Sequence, residues 1–344
     1  MKIKTCVLLL GLILTFPLTA AEYTDGAIRL VLDEETGRFS LYSIRHENNR
    51  RGPMALFVDQ DPRTSFLSVM INDRSYKMGD TSAFRIRLGG SDRNPSLIFE
   101  SSFMLVIQEF SFVRSPDSIE TNGIAVRVTL ENRGDRQISA GARFLLDTNL
   151  GEGLSGNLFT TNHQVINAET LLTRTDGDQY WSDKNDKVTL YGSLFTGSAT
   201  DPDSVHFANW KKLSDVSWKA AFQPGRNFNF PPYSVGDAAV CYYYEPRPLS
   251  RGERRGFGFS LFLNSEKGFS SSQTSLGGET IRDLALQAAA PSGDLMEQDL
   301  AAIRELLARI DSLIASGTAT EEELAAIELA LNSLRAKYPG VNPR

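Results

Sequence analysis

The sequence predicts a mainly β protein: a large antiparallel β-(super)sandwich followed by a C-terminal antiparallel α-helical hairpin. Three observations predict it. Residues 22–265 alternate apolar and polar side chains in short runs separated by Gly-, Asn- and Asp-bearing turns. Beyond residue 279 the hydrophobic period lengthens to about three and a half. The chain has 344 residues, enough for one large β domain and an appendage.

Residues 1–21 read as a signal peptide. Lys2 and Lys4 precede an apolar run, Cys6 to Leu18, and Thr19-Ala20-Ala21 offers small residues for cleavage after Ala21. The run is too short for a spanning helix, and no comparable run follows it. The expectation is a periplasmic or secreted bacterial protein whose mature chain has no integral membrane segment; an uncleaved anchor is the alternative. Cys6 lies before most of the apolar run, so it is not placed for lipid attachment.

Without Lys2 and Lys4 the chain carries 34 basic and 42 acidic side chains, a net charge of −8. That leaves no basic footprint for nucleic acid and no polybasic patch for a membrane surface. Cys241 is the one cysteine left after the leader, so no intrachain disulfide can form. It sits in the strand-like run Ala238–Tyr244, where a buried, inert thiol is expected.

The sandwich is assigned to residues 22–268. Ala27–Asp33 and Arg38–Ile44 flank a Glu34-Glu35-Thr36-Gly37 turn, a hairpin signature. Leu67–Ile71 runs into a turn at Asn72-Asp73. Phe84, Ile86 and Leu88 alternate with Arg85 and Arg87, which gives one wet face. Phe103–Phe112 is apolar on both faces and reads as a central strand covered twice. In Gly123–Glu131, Ile124, Val126, Val128 and Leu130 point inward. The Asn132-Arg133-Gly134-Asp135 turn then leads into Ile138–Gly153, read as its hairpin neighbour. Residues 150–235 are Gly-, Asn-, Asp- and Thr-rich and read as long loops with short strands such as Lys187–Leu194 and Ser204–Ala208. Ala238–Tyr244 and Gly256–Leu263 bracket a turn placed at Pro246-Arg247-Pro248.

Residues 269–290 read as a linker with a short helix at Ile281–Ala290, and residues 291–340 as the helical hairpin. Met296, Leu300, Ile303, Leu307, Ile310 and Ile314 form one heptad seam; Leu324, Ile327, Leu331, Leu334 and Tyr338 form the other. Asp294 caps the first helix and Gly317 ends it; Thr320 with Glu323 is a capping box for the second. Two helices cover only one seam each, so the pair must dock on something else.

The chemistry-bearing residues are sparse. His46, His163 and His206 are the only histidines, too few for a usual zinc site, and no Gly-x-Ser-x-Gly elbow occurs. The candidate ligand or ion site comprises Asp147, Glu152, Asp201, Asp203, His206 and Trp210, the four carboxylates at strand ends or in loops. Two carboxylates at suitable separation serve a glycosidase. Carboxylates at turns also bond their own backbone. No cofactor is expected, Ca2+ held by these carboxylates being the alternative. Aromatics crowd residues 181–244, where solvent-facing rings would stack on sugars and inward ones would build the core.

Gly141–Gly151 (GARFLLDTNLG), Asp201–Trp210 (DPDSVHFANW), Trp218 and Asp237–Gly252 (DAAVCYYYEPRPLSRG) together resemble uncharacterised exported bacterial β-supersandwich proteins. The resemblance covers about residues 120–265. It implies the broad shape of galactose mutarotases. It implies no mutarotase activity, because none of that family's acid–base residues is matched by motif. The chain also departs from the family pattern: Glu152-Gly153 stands where the family carries Asn-Asp-Gly.

The function expected is a non-enzymatic structural or adaptor role in the cell envelope. A partner protein would bind the hairpin seam (Leu300, Ile303, Leu307, Ile310, Ile314, Leu324, Ile327, Leu331 and Leu334). The alternative is a carbohydrate-binding module or carbohydrate-active enzyme using the aromatic and acidic loop face, with a glycan as ligand.

Overall fold

The computed structural model describes residues 20–44, 53–58, 62–148, 150, 159–229, 231–232 and 236–267. The leader before Ala20, Glu152, the linker and the helical hairpin lie outside the described residues. Among the described residues nineteen strands form three antiparallel sheets.

The first strands are β1 (Ala20–Asp25), β2 (Ile28–Asp33), β3 (Arg38–Ser43) and β4 (Met54–Ala55); they form a four-stranded sheet in that order. Next come β5 (Phe66–Ile71), β6 (Arg74–Lys77), β7 (Arg85–Gly90), β8 (Pro95–Glu100), β9 (Met104–Val113), β10 (Gly123–Asn132) and β11 (Ile138–Leu146). The remainder are β12 (Phe159–Thr161), β13 (Val165–Ile166), β14 (Thr170–Thr173), β15 (Tyr180–Lys184), β16 (Thr189–Ser193), β17 (Ser204–Asn209), β18 (Ala238–Leu249) and β19 (Arg254–Leu263). The nine-stranded sheet runs β13-β12-β15-β16-β19-β10-β9-β8-β7, and the six-stranded sheet β14-β17-β18-β11-β5-β6. One short helix, α1 (Trp210–Ser214), follows β17.

The inner faces of the two large sheets meet in one core. Ile124, Val126, Val128 and Leu130 of β10 and Phe257, Phe259, Leu261 and Leu263 of β19 face Ala142, Phe144 and Leu146 of β11 and Val240, Tyr242 and Tyr244 of β18. Phe259 stacks on Tyr242 at 4.7 Å and meets Phe144 edge-on at 5.0 Å. The phenols keep partners as they are buried: Trp181 Nε1 donates to Tyr242 Oη at 2.6 Å, Tyr242 to the Ser193 carbonyl and Tyr244 to the Gly258 carbonyl. Buried rings with satisfied polar tips supply both apolar area and inter-sheet register. The four-stranded sheet adds Ile28, Leu30, Leu32, Phe39 and Leu41 to the same core.

Local chemistry accounts for the turns. The Asp33 carboxylate accepts from the Glu35 and Thr36 amides and the Thr36 hydroxyl, and Gly37 takes a φ of 63° against Phe99, closing the β2–β3 hairpin. Asn72, at a φ of 53°, turns β5 into β6.

Four expectations change. First, β10 and β11 are not hairpin neighbours: β10 pairs with β9 and β19, whereas β11 pairs with β5 and β18. The turn after Asn132 carries the chain from one sheet to the other. A period of two sets which way side chains face, not which strand lies alongside.

Second, the turn at Pro246-Arg247-Pro248 is strand, and the chain reverses at residues 250–253 instead. β17 ends beside Tyr243, so past that point β18 has only β11 alongside, and a proline's missing N–H is tolerated there. A bulge between Ala140 and Ala142 absorbs the irregularity, and a Cβ at Gly141 would stand 2.6 Å from the Tyr244 carbonyl oxygen. Third, the loop region has more strands than expected: the two short strands read at Lys187–Leu194 and Ser204–Ala208 stand as β16 and β17, and β12 to β15 join them. Fourth, β9 is interior to its sheet, but its outer face is buried only at Leu105; Ile107 is half-buried.

Candidate functional site

β11 is covered on both faces, and the second cover holds two of the six candidates, His206 and Trp210. Arg143 and Leu145 point away from the main core. There Leu145, Phe66, Ala208, Ala239, Cys241 and Tyr243 pack under Leu213 and Ala220. Those last two belong to residues 210–229, which run as a strap over the outer face of the six-stranded sheet.

Arg143 is buried among these apolar groups, and its guanidinium donates to the carbonyls of Leu213, Val216 and Trp218. It thus satisfies carbonyls at and beyond the C-terminus of α1, where a helix leaves acceptors unmatched. At the other end of α1, the Asn209 side chain accepts from the Lys212 amide and donates to the Phe228 carbonyl. Trp210 is half-buried, and its indole N–H donates to the Thr64 carbonyl at 2.9 Å, tying the strap to the chain ahead of β5.

His206 lies on β17 and is 2% exposed. Its Nε2 stands 3.0 Å from Glu169 Oε1, and Lys212 Nζ reaches both Glu169 oxygens at 2.7 Å. The Gln223 amide also donates to Glu169 Oε1. A carboxylate beside an ammonium accepts, so the imidazole donates from Nε2. Burial pushes the imidazole below its usual pKa, against the pull of Glu169 and with a smaller push from Lys212. Phe222 closes the ring edge at 5.7 Å. A neutral, enclosed histidine has no open face for a substrate.

The carboxylates go elsewhere. Asp201 is buried and accepts from the Thr196, Gly197 and Ser198 amides and the Thr196 hydroxyl, so it organises the loop before β17. Burial raises its pKa, partly offset by these bonds and by Arg174. Asp203 stands just before β17 begins and takes the Glu245 amide of β18 at 2.7 Å and Arg247 at 2.6 Å. Its carboxylate continues the ladder that the backbone abandons.

Asp147 follows β11 and is 3% exposed; its amide donates to Ser65 Oγ, and its carbonyl accepts from Val58. Extending the register, Asp147 is level with Ala239 and Asp203 with Tyr244, five residues of strand or roughly 17 Å apart. The expected site therefore does not converge: Asp147, Asp201, Asp203 and His206 occupy separate structural networks.

Two residues of the strap network escaped sequence reasoning. Glu169 is a lone acid ahead of a short strand and carries no local signal. Arg143 did carry one: a single cation inside the apolar run Ala142–Leu146. Such a cation demands buried acceptors once the strand is covered twice.

The aromatics are mostly structural. Trp181, Phe207, Phe228, Tyr242, Tyr243 and Tyr244 are buried, and Phe222 is exposed. Among the described residues no three His, Cys, Asp or Glu side chains group as ion ligands. No helix of the described residues is long and apolar enough to cross a membrane. A polar groove of about 190 Å³ lies where the β9–β10 loop meets the end of β19, lined by Ser43, Ser115, Asp117, Ser118, Asn122 and Ser265 among others. Ser115 and Ser265 donate to Asp117 Oδ1 and hold its carboxyl below the ordinary range.

No protein-family model matches the chain, and no curated protein matches it. Among solved structures, a galactose mutarotase related enzyme from Lactobacillus acidophilus superposes with a TM-score of 0.46 at 9% identity, over 72% of this chain and 97% of that one. A galactose mutarotase-like protein from Lactobacillus casei gives 0.42 at 9% identity, over 71% and 100%. An alpha-N-acetylgalactosaminidase from Bifidobacterium bifidum, in complex with GalNAc, gives 0.42 at 13% identity, over 72% and 36%. Similarity at these identities and TM-scores transfers neither residues nor activity, and the sandwich assignment rests on the strand pairing itself.

Proposed function

We propose that this chain is an exported, non-enzymatic component of the bacterial envelope. In this hypothesis the sandwich is a rigid body and the heptad seam between Met296 and Tyr338 engages a protein partner. The observation that carries it is the fate of the acid–base candidates. Among the described residues Asp201, Asp203 and His206 each close a separate structural network, and Asp147 stands roughly 17 Å along the strands from Asp203. The test is deletion of residues 291–344 together with Leu307→Asp and Leu331→Asp in the full chain. Partner recovery by crosslinking in envelope preparations is expected to disappear while the sandwich keeps its melting transition. Undiminished recovery contradicts the proposal.

A second hypothesis, glycan binding, is favoured by the groove around Asp117, whose hydroxyls, amides and carboxylate suit a polyol. Calorimetry against envelope polysaccharides, with Asp117→Ala as control, tests it. Equal heats for both proteins rule out that groove.

A further inference from the structure

We propose that residues 210–229 form an acid-released strap, latched by the buried Glu169–His206–Lys212 cluster, whose opening bares the outer face of the six-stranded sheet. The latch joins three separate elements. Glu169 precedes β14, His206 lies on β17, and Lys212 and Gln223 belong to the strap. Beneath the strap lie Leu145, Ala208, Ala239, Cys241 and Tyr243, a face distinct from the inter-sheet core. Phe228, at the far end of the strap, packs with Phe159 in the inter-sheet core and anchors it there, so residues 210–223 can lift without parting the two large sheets.

The groups facing His206 set the direction. Glu169 approaches from the β14 side, Lys212 from α1, and Cys241 of β18 is its register partner. Burial pushes the Cys241 thiol up, so it stays neutral and offers no counter-charge. Glu169 already has the Lys212 ammonium, and a second cation on the imidazole leaves the enclosed cluster with excess positive charge. His206 holds a depressed pKa when closed and the ordinary value when open. The closed form is thus favoured above the open-state pKa, and that preference is lost as pH falls through the ordinary histidine range toward the closed-state value. Opening gains about tenfold for each unit of depression.

Cys241 reports the opening, being the only cysteine beyond Cys6. In the full chain carrying Cys6→Ser, Cys241 is labelled with dithiodipyridine across the pH range, and each rate is normalised to the unfolded protein at the same pH. The normalised rate is expected to rise at least about threefold between about pH 7.5 and pH 5.0 while tryptophan fluorescence keeps its native spectrum. His206→Gln is expected to abolish the rise. If His206→Gln does not fold, Lys212→Gln serves instead and is expected to raise the rate at pH 7.5 and to shrink the rise, because it removes a latch contact and part of what depresses the His206 pKa. A flat profile, a rise unchanged in the variant, or a rise coincident with global unfolding overturns the proposal.

Discussion

The two faces of the six-stranded sheet are built on different principles. The inner face is apolar: Phe144, Val205, Phe207, Val240 and Tyr242 meet the opposite sheet, and their few polar atoms bond across it. The outer face is closed by a strap that lays only a small apolar cluster on it, Leu213 and Ala220 with Trp210 and Val216 against them. Buried charge adds the fastening: Arg143 on three carbonyls, and Glu169 on Lys212, His206 and the Gln223 amide. The difference teaches that buried ionisable groups here replace a third layer of secondary structure. They look like chemistry in the sequence and act as fasteners in the fold.

The inner face should respond to volume. Phe259→Ala removes a ring that touches both Phe144 and Tyr242, and is expected to cost about 3–5 kcal/mol in urea unfolding. A loss below about 1 kcal/mol would show that the sheets repack freely.

The outer face should respond to satisfaction rather than volume. Arg143→Leu preserves apolar bulk but strands three carbonyls, and is expected to cost about 2–3 kcal/mol. Lysine at this position should not restore it, because one ammonium cannot reproduce the planar fork.

Asp201→Ala leaves three amides and a hydroxyl without their acceptor and is expected to cost about 1–3 kcal/mol, read by thermal unfolding. Any activity later found for the protein should survive in proportion to folding. A loss of activity at full stability would make Asp201 functional.

Strand alternation made the inner face legible: Ile124, Val126, Val128 and Leu130, or Phe257, Phe259, Leu261 and Leu263, face inward as their spacing requires. Asn72 and the Asp33–Gly37 segment marked their turns because local backbone chemistry acts within four residues. The crossing from β10 to β11 was illegible for the opposite reason. Asn132 stitches it by donating to the Arg136 and Leu249 carbonyls, and the second partner lies 117 residues away. The strap latch was equally hidden: Glu169 and Lys212 are 43 residues apart and neither sits in a periodic segment. The candidate site was half legible: Asp147, Asp201, Asp203 and His206 stood out by residue type, but the distant partners that each side chain bonds could not be named from the sequence.

The pH response separates the faces at a smaller energy. His206 is held neutral by burial, so stability is present above the ordinary histidine pKa and declines as pH falls below it, by about 1.4 kcal/mol per unit of depression. Urea unfolding from about pH 7.5 to pH 5.0 should show the decline, and His206→Gln should flatten it. An identical slope in both proteins would assign the decline to other groups.

At the bottom of the scale, Arg247→Ala breaks a solvent-exposed pair with Asp203 and is expected to change stability by less than about 1 kcal/mol. A larger loss would mean that the edge of β18 depends on this pair more than on the Glu245 amide bond to Asp203.

Hydrogen exchange on Arg143→Leu tests most directly whether the strap is a separately fastened cover. Amides of residues 210–229 are predicted to exchange much faster than in the parent chain, while those of β10 and β19 keep their protection. Equal acceleration in β10 and β19, or an unchanged strap, would contradict the account.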